Sequence, residues 1–157
     1  MLMNTASHYH LLLYAIVCDC RDGMQIAARN GSLDVMRLLY DNGGDLTTSG
    51  KTGDTLFHLA AANGHVNVMI WMNSIGGLAT CVNRYGQTPA HIAARRGEVG
   101  VLKYLHHELC VDVQQEDFDG QTPLQLVPRH SMYGNDQNVQ EAREFLISLL
   151  DVIDGKG

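Results

Sequence analysis

The sequence predicts an all-α solenoid of helix-turn-helix units, and three observations support this prediction. A glycine-centred phrase recurs along the chain, with Gly53, Gly86 and Gly120 at intervals of 33 and 34 residues. Each copy continues into a short segment of helix-forming residues, and in most copies a second glycine ends that segment. A fixed period of this length, with a turn and two helices per unit, is typical of repeat proteins whose units stack on one another.

The clearest copy of the phrase runs from Asn83 to Gly97 and reads N-R-Y-G-Q-T-P-A-H-I-A-A-R-R-G. It opens with a turn around Gly86. Thr88 can cap a helix, and Pro89 takes the first helical position, where its missing N–H costs nothing. Gly97 ends the helix because glycine accepts a positive φ. This copy therefore predicts a turn followed by a short helix.

The other copies read G-D-T-L-F-H-L-A-A-A-N-G from Gly53, G-Q-T-P-L-Q-L from Gly120 and Q-I-A-A-R-N-G from Gln25. Thr55 to His65 matches most of the pattern T-P-L-H-x-A-A-x-x-G-H, so the chain resembles the ankyrin-repeat family from about residue 20 to 150. The resemblance implies four repeats, with degenerate terminal ones, joined by short β-hairpin turns. Their bounds are about 22–49, 50–82, 83–116 and 117–151. The turn and cap positions are Gly31, Gly53, Thr55, His58, Gly64, Gly86, Thr88, Pro89, His91, Gly97, Gly120, Thr122 and Pro123.

Repeats one and two are predicted to contain two helices each. In repeat one these span about 22–30 and 33–42, with Asp22 and Ser32 as caps. In repeat two they span about 55–63 and 66–74. Trp71, in the second of these, is expected to fill the groove against repeat three.

Repeats three and four are predicted to differ in length. Repeat three has helices at about 88–96 and 99–107. The first helix of repeat four is cut short by Pro128, which a helix interior does not tolerate. A loop at 129–137 follows, and the second helix spans about 138–151.

Two segments flank the repeats. Residues 1–21 contain an apolar run, 10–17, which we expect to form a capping helix on repeat one; a tail is the alternative. Residues 152–157 are expected to form a C-terminal tail.

The composition argues against several classes of function. The chain has 157 residues, of which 45% are hydrophobic and 18% are charged, and its net charge is −6. Binding to nucleic acid or to anionic lipid is disfavoured, since both require a basic face. The apolar run 11–18 is shorter than the ~20 residues that span a membrane, and residues 1–10 lack the Lys or Arg of a signal peptide. We therefore expect a cytoplasmic or nuclear protein.

We expect no catalysis, cofactor, metal site or small-molecule substrate. The cysteines form no C-x-x-C pair, and no G-x-S-x-G, H-E-x-x-H or glycine-rich phosphate loop occurs. The resemblance gives His58 and His91 a structural role, hydrogen bonding to turn backbone, and Gln25 and Gln125 take the same place in the outer repeats. An enzyme would need a catalytic constellation in the repeat-four loop, where His130, Ser131 and Tyr133 cluster without an orienting acid.

The resemblance also predicts where a partner protein docks. Ankyrin proteins usually bind partners on the hairpin tips and on the concave face that the first helices form. The residues at those positions are Arg29, Lys51, Arg84, Tyr85, Gln87, Arg95, Arg96 and Phe118, and Arg129 extends the row. Arginine and aromatic residues are enriched at binding hot spots, so an acidic or phosphorylated peptide segment is the expected ligand.

The sequence thus predicts a non-catalytic protein-interaction module that acts as an adaptor or scaffold. The alternative is a stand-alone inhibitor that masks the surface of a transcription factor or a kinase. In that case the chain would resemble the repeat-only inhibitors of NF-kappa-B or of cyclin-dependent kinases.

Overall fold

A computed structural model of the chain describes residues 20–129 and 136–153, with side chains described for 22–129 and 136–150. Within these ranges the extended elements of secondary structure are all helices, joined by turns. They are α1 (Cys20–Asn30), α2 (Leu33–Asp41), α3 (Leu56–Ala62), α4 (Val66–Ser74), α5 (Pro89–Arg96), α6 (Val99–His107), α7 (Pro123–Leu126) and α8 (Asp136–Ile153). The apolar run 10–17, the cluster of His130, Ser131 and Tyr133, and the tail 154–157 lie outside the described residues.

The helices form two rows, as the predicted stack of helix pairs requires. The inner row, α1, α3, α5 and α7, packs each helix on the next, and the outer row, α2, α4, α6 and α8, packs behind it. Pairs of buried alanines let the inner helices approach closely: Ala27 and Ala28, Ala60 and Ala61, Ala93 and Ala94. The outer helices add larger apolar side chains, among them Met36, Met69, Met72, Leu102 and Leu105. Together these residues form one continuous core.

The expected β-hairpins are turns without strands in the described part of the chain. One isolated bridge pairs Ser49 with Thr55. Each tip is closed instead by two backbone hydrogen bonds. In repeat three, Asn83 N–H donates to the carbonyl of Gln87 at 3.0 Å, and Gly86 N–H donates to the carbonyl of Asn83 at 3.1 Å. The tips are too short for a ladder to extend beyond this closure.

Repeat one departs from the predicted caps. Helix α1 begins at Cys20, so Asp22 lies in its first turn and does not cap it. Ser32 precedes α2 but makes no side-chain cap hydrogen bond, and its ψ is 77°. The capping residues Thr55 and Thr88 have ψ values of 174° and 167°, in the extended region that capping requires.

Repeat four has the short first helix that Pro128 predicted, since α7 ends at Leu126. Val127 is extended, as a residue before proline prefers, with ψ at 117°. Arg143 of α8 donates to the carbonyls of Val127 and Pro128, at 3.2 and 2.9 Å. This side chain therefore satisfies carbonyls that a longer helix would have paired internally.

The aromatic contact of Trp71 lies towards repeat one, while the expectation that its side chain fills the groove against repeat three stays a prediction. Its ring meets Tyr40 of repeat one edge to face, with 5.7 Å between the centroids and 88° between the planes. Tyr40 reaches it from the last turn of α2, since side chains on neighbouring outer helices lie side by side. The pair joins the outer helices of repeats one and two on the convex side.

Candidate partner-binding face

Successive tips are joined by one backbone hydrogen bond each. Arg84 N–H donates to the carbonyl of Thr52 at 3.1 Å, and Phe118 N–H donates to the carbonyl of Tyr85 at 3.0 Å. Gly53 and Gly86 leave room for this contact: a Cβ on Gly86 would lie 2.5 Å from the Phe118 ring and 2.7 Å from its nitrogen. The row of tips is therefore fixed by backbone.

The predicted turn glycines have the conformation that only glycine adopts without strain. Gly64 and Gly97 have φ values of 74° and 75°, and Gly31, Gly53, Gly86 and Gly120 lie between 70° and 79°. Each of the six ends an inner helix or turns a tip. They set the angle at which the tips leave the helices.

His58 and His91 fasten each inner helix to the tip of the next repeat. The Nδ1 atom of His91 accepts the N–H of Thr88 at 3.1 Å. Its Nε2 then carries the proton and donates to the carbonyl of Gln121 at 3.0 Å. His58 does the same with Thr55 N–H, at 3.2 Å, and with the carbonyl of Gln87, at 2.7 Å. Burial lowers the pKa of both imidazoles, which keeps them in the neutral form that this bonding requires.

Most of the residues predicted to contact a partner lie exposed. Tyr85 and Phe118 expose 55% and 75% of their surface at adjacent tips. Arg29, Lys51, Arg84, Arg95 and Arg129 are also exposed.

Gln87 is the exception, because it is buried with 8% of its surface exposed. Gln87 lies at the tip, as predicted, but its side chain is largely covered, and its contact with a partner stays a prediction. Its side chain turns inward and bridges two charged residues. Gln87 Nε2 donates to Asp117 Oδ2 at 3.2 Å, and Gln87 Oε1 accepts from Arg95 Nη2 at 2.7 Å.

Asp117 completes this bridge from the tip of repeat four. It is buried, and its Oδ1 accepts the N–H groups of Asp119 and Gln121, at 3.0 and 2.9 Å. Burial acts to raise the pKa of Asp117, but hydrogen bonds from Gln121, Gln87 and Asp119 outweigh it and lower that pKa. The chain from Asp117 through Gln87 to Arg95 therefore contains an ionised carboxylate at one end and a guanidinium at the other.

A pocket of about 370 Å³ opens between the tips of repeats two and three and helix α5. Its lining residues are Thr52, Asp54, Asn83, Tyr85, Gln87, Ile92 and Arg95. The tips supply the polar walls, while Ile92 and the Tyr85 ring supply apolar ones. Three of the predicted contact residues, Tyr85, Gln87 and Arg95, thus come together in one concavity.

Arg96 is half-buried and points elsewhere, as adjacent helical residues must. The carboxylate of Glu98 lies against Gly64, between the inner and outer rows. Burial raises the pKa of Glu98, against the opposing effect of His65 and Arg96 nearby. Glu98 therefore belongs to the interface between repeats two and three.

A metal centre finds no support in the described residues, where no group of three His, Cys, Asp or Glu side chains could hold an ion. The ring centroids of His106 and His107 on α6 are 5.1 Å apart, and both rings pack near Phe145 of α8. Their role in this structure is packing between outer helices.

Sequence reasoning missed Asp117 and Arg143. Asp117 carried a signal, because Asn83-Arg-Tyr-Gly86 and Asp117-Phe-Asp-Gly120 both place Asn or Asp three residues before a turn glycine. Asn and Asp there bind the backbone of their own turn. No local signal marked Asp54 as a pocket residue, nor Arg143 as the donor to carbonyls 15 and 16 residues earlier.

Comparison with known protein families agrees with this architecture. The family model described as ankyrin repeats (3 copies) matches residues 24–117. A search of curated proteins gave no match for the chain. Among the described helices, none combines the length and apolar character needed to cross a membrane.

Proposed function

The chain belongs to the ankyrin-repeat family, and on that premise we propose that it is a non-catalytic adaptor that captures a segment of a partner protein on its concave face. Ankyrin repeats generally mediate protein–protein interaction. The proposed face consists of the exposed tip and inner-helix residues Lys51, Arg84, Tyr85, Arg95 and Phe118, flanked by Arg29 and Arg129.

One observation supports this proposal above the others: the tips that carry Tyr85 and Phe118 are hydrogen-bonded to each other through their backbones. A face that is already ordered loses little conformational entropy when a partner binds. Tyrosine, phenylalanine and arginine on such a face can bury large areas and pair with carboxylates. The exposed arginines supply a local positive region on a chain whose net charge is −6, and this region is the part of the surface that favours an acidic segment.

The test is capture of partner proteins from an extract of the native host, compared between the chain and an Arg95→Glu variant. Matched controls are Arg37→Glu and Lys103→Glu, since both residues are exposed on outer helices. We expect Arg95→Glu to lose proteins that the original chain and both controls retain. In both controls the free energy of unfolding should change by no more than about 0.5 kcal/mol, because the substitutions lie at the surface. Arg95→Glu also loses the hydrogen bond to Gln87, at a cost of about 1 kcal/mol, so its fold is checked in the same measurement. Capture that survives Arg95→Glu but is lost in the controls would move the interface to the convex side.

A further inference from the structure

We propose that the pocket between the tips of repeats two and three is an anchor site for one anionic side chain of the partner, bound by Arg95. The ligand group is an oxyanion, either the carboxylate of Asp or Glu or the phosphate of a phosphorylated residue. This inference rests on the proposed function and names the chemistry that the face recognises.

The guanidinium of Arg95 has the capacity to bind such a group. It is exposed and lines the pocket, and one of its Nη2 hydrogens is donated to Gln87 Oε1. A guanidinium has five N–H donors in one plane. The donors that remain match two oxygens of a carboxylate or a phosphate, a pairing that fixes the ligand in direction as well as in position.

The carboxylate in the same pocket does not compete for this role. Asp54 Oδ1 accepts from Asn83 Nδ2 at 2.8 Å, and Asp54 Oδ2 accepts from Thr52 Oγ1 at 2.6 Å. Both oxygens are thus engaged by the tips themselves. Asp54 ties the tips of repeats two and three together, and Arg95 is the cationic residue among those that line the pocket.

Gln87 and Asp117 act as positioning residues. Gln87 is buried and holds the guanidinium with its amide oxygen, while Asp117 holds the amide nitrogen and so fixes which way the amide points. Reversal of that amide would place an NH₂ against Arg95. The tip of repeat four therefore orients the ligand-binding arginine of repeat three.

The other walls suit the stem of the side chain. The ring of Tyr85 and the half-buried Ile92 can pack on methylene groups, and the volume of about 370 Å³ admits a glutamate or a phosphoserine side chain. The pocket thus combines apolar sides with one charged donor, as sites for single side chains commonly do.

The experiment uses the full chain and follows the arginine side-chain N–H signals by NMR. The probes are N-acetylglutamate amide, N-acetylphosphoserine amide and the neutral N-acetylglutamine amide. We expect saturable shifts of the Arg95 Nε–H and the Ile92 methyl signals with at least one anionic probe, with a dissociation constant on the order of millimolar. The neutral probe should cause no saturable shift.

Variants separate charge from positioning. Arg95→Lys retains the charge but loses the planar fork, so affinity for the probe should fall by about tenfold. Gln87→Met keeps the length of the side chain but removes both hydrogen bonds, and it should weaken binding several-fold while the rest of the spectrum shows an intact fold. Arg37→Gln, at an exposed position on the outer helix α2, is the control and should leave affinity unchanged.

Tighter binding of the glutamate probe would assign the site to an acidic residue, and tighter binding of the phosphoserine probe would assign it to a phosphorylated one. Linear shifts of equal size at Arg37 and Arg84, an equal response to the neutral probe, or no response at all would overturn the proposal. If the probes fail while Arg95→Glu still abolishes partner capture, the anchor pocket is wrong and the proposed function stands. If the probes bind but Arg95→Glu captures the same partner proteins as the original chain, the proposed function fails and the pocket stands.

Discussion

At Gly86 the backbone of one repeat touches the next. Its φ is 75°, and the ring and nitrogen of Phe118 lie directly over its Cα. Gly120 has nearly the same backbone, with φ at 72°, but no atom of the described residues lies within 4 Å of the place where its Cβ would stand. The two glycines thus have the same turn conformation, but only Gly86 is in contact with the tip of a following repeat.

We predict that Gly86→Ala destabilises the chain more than Gly120→Ala does. Both pay the cost of a left-handed backbone, roughly 1–2 kcal/mol. Only Gly86→Ala also pushes Phe118 from its place, which should add at least about 1 kcal/mol. Denaturant unfolding of the two variants measures the difference. Equal losses would mean that the tips are not packed on one another as described.

The side chain of Gln87 has a direction that the spacing of residues in the sequence does not determine. The position of Gln87, next to a turn glycine, was predictable from the repeat, but the direction of its side chain was not. Its inward turn depends on Asp117, which lies 30 residues away in sequence. A local pattern contains no information on a partner in the next repeat, so a residue on the tip was mistaken for an exposed one.

Between elements, the neutral imidazoles of His58 and His91 connect α3 and α5 to the tips of the repeats that follow them. In the unfolded chain a histidine has a pKa of about 6.5. Burial lowers the pKa in the folded chain, so below about pH 6.5 the unfolded state binds more protons and stability falls as pH falls. The loss continues until the pH has passed the lowered pKa and then levels off.

We predict that His91→Gln reduces this pH dependence. Glutamine can replace the cap, because Gln125 Oε1 accepts the N–H of Thr122 at 2.8 Å in repeat four. Each buried histidine contributes a slope of up to about 1.4 kcal/mol per pH unit in the affected window. The free energy of unfolding, measured between pH 7 and pH 4, should therefore fall less steeply in the variant. His107→Gln, at an exposed position on α6, serves as the control. An unchanged slope in His91→Gln would show that His91 is not held neutral by the fold.

Helix positions were largely predictable because caps and turn glycines are local signals. Thr88 and Pro89 begin α5, Gly97 ends it, and α4 and α6 have the bounds that their sequences predicted. The contacts between outer helices were not predictable in the same way. Trp71 meets Tyr40 of the preceding repeat, and Arg143 takes a role created by the short α7. Both depend on which neighbour a side chain reaches after stacking.

At the scale of the whole molecule, stacking converts separate residues into a face. Tyr85, Phe118 and Arg95 belong to different turns and helices, and backbone hydrogen bonds between tips set their spacing. The sequence identified these residues through the family resemblance. It did not predict that Arg95 would be oriented by Gln87, because that requires repeats three and four in register.

The central claim is that partners contact the tips and inner helices rather than the outer helices. The most direct measurement places a photo-crosslinking phenylalanine analogue at Tyr85 or Phe118, and, as controls at exposed positions on the outer helices, at Tyr40 or Ile70. After irradiation in native host extract, we predict that both tip positions form an adduct with the same partner and that Arg95→Glu removes it. The outer positions should form none. Adducts confined to Tyr40 and Ile70 would contradict this account of the binding face.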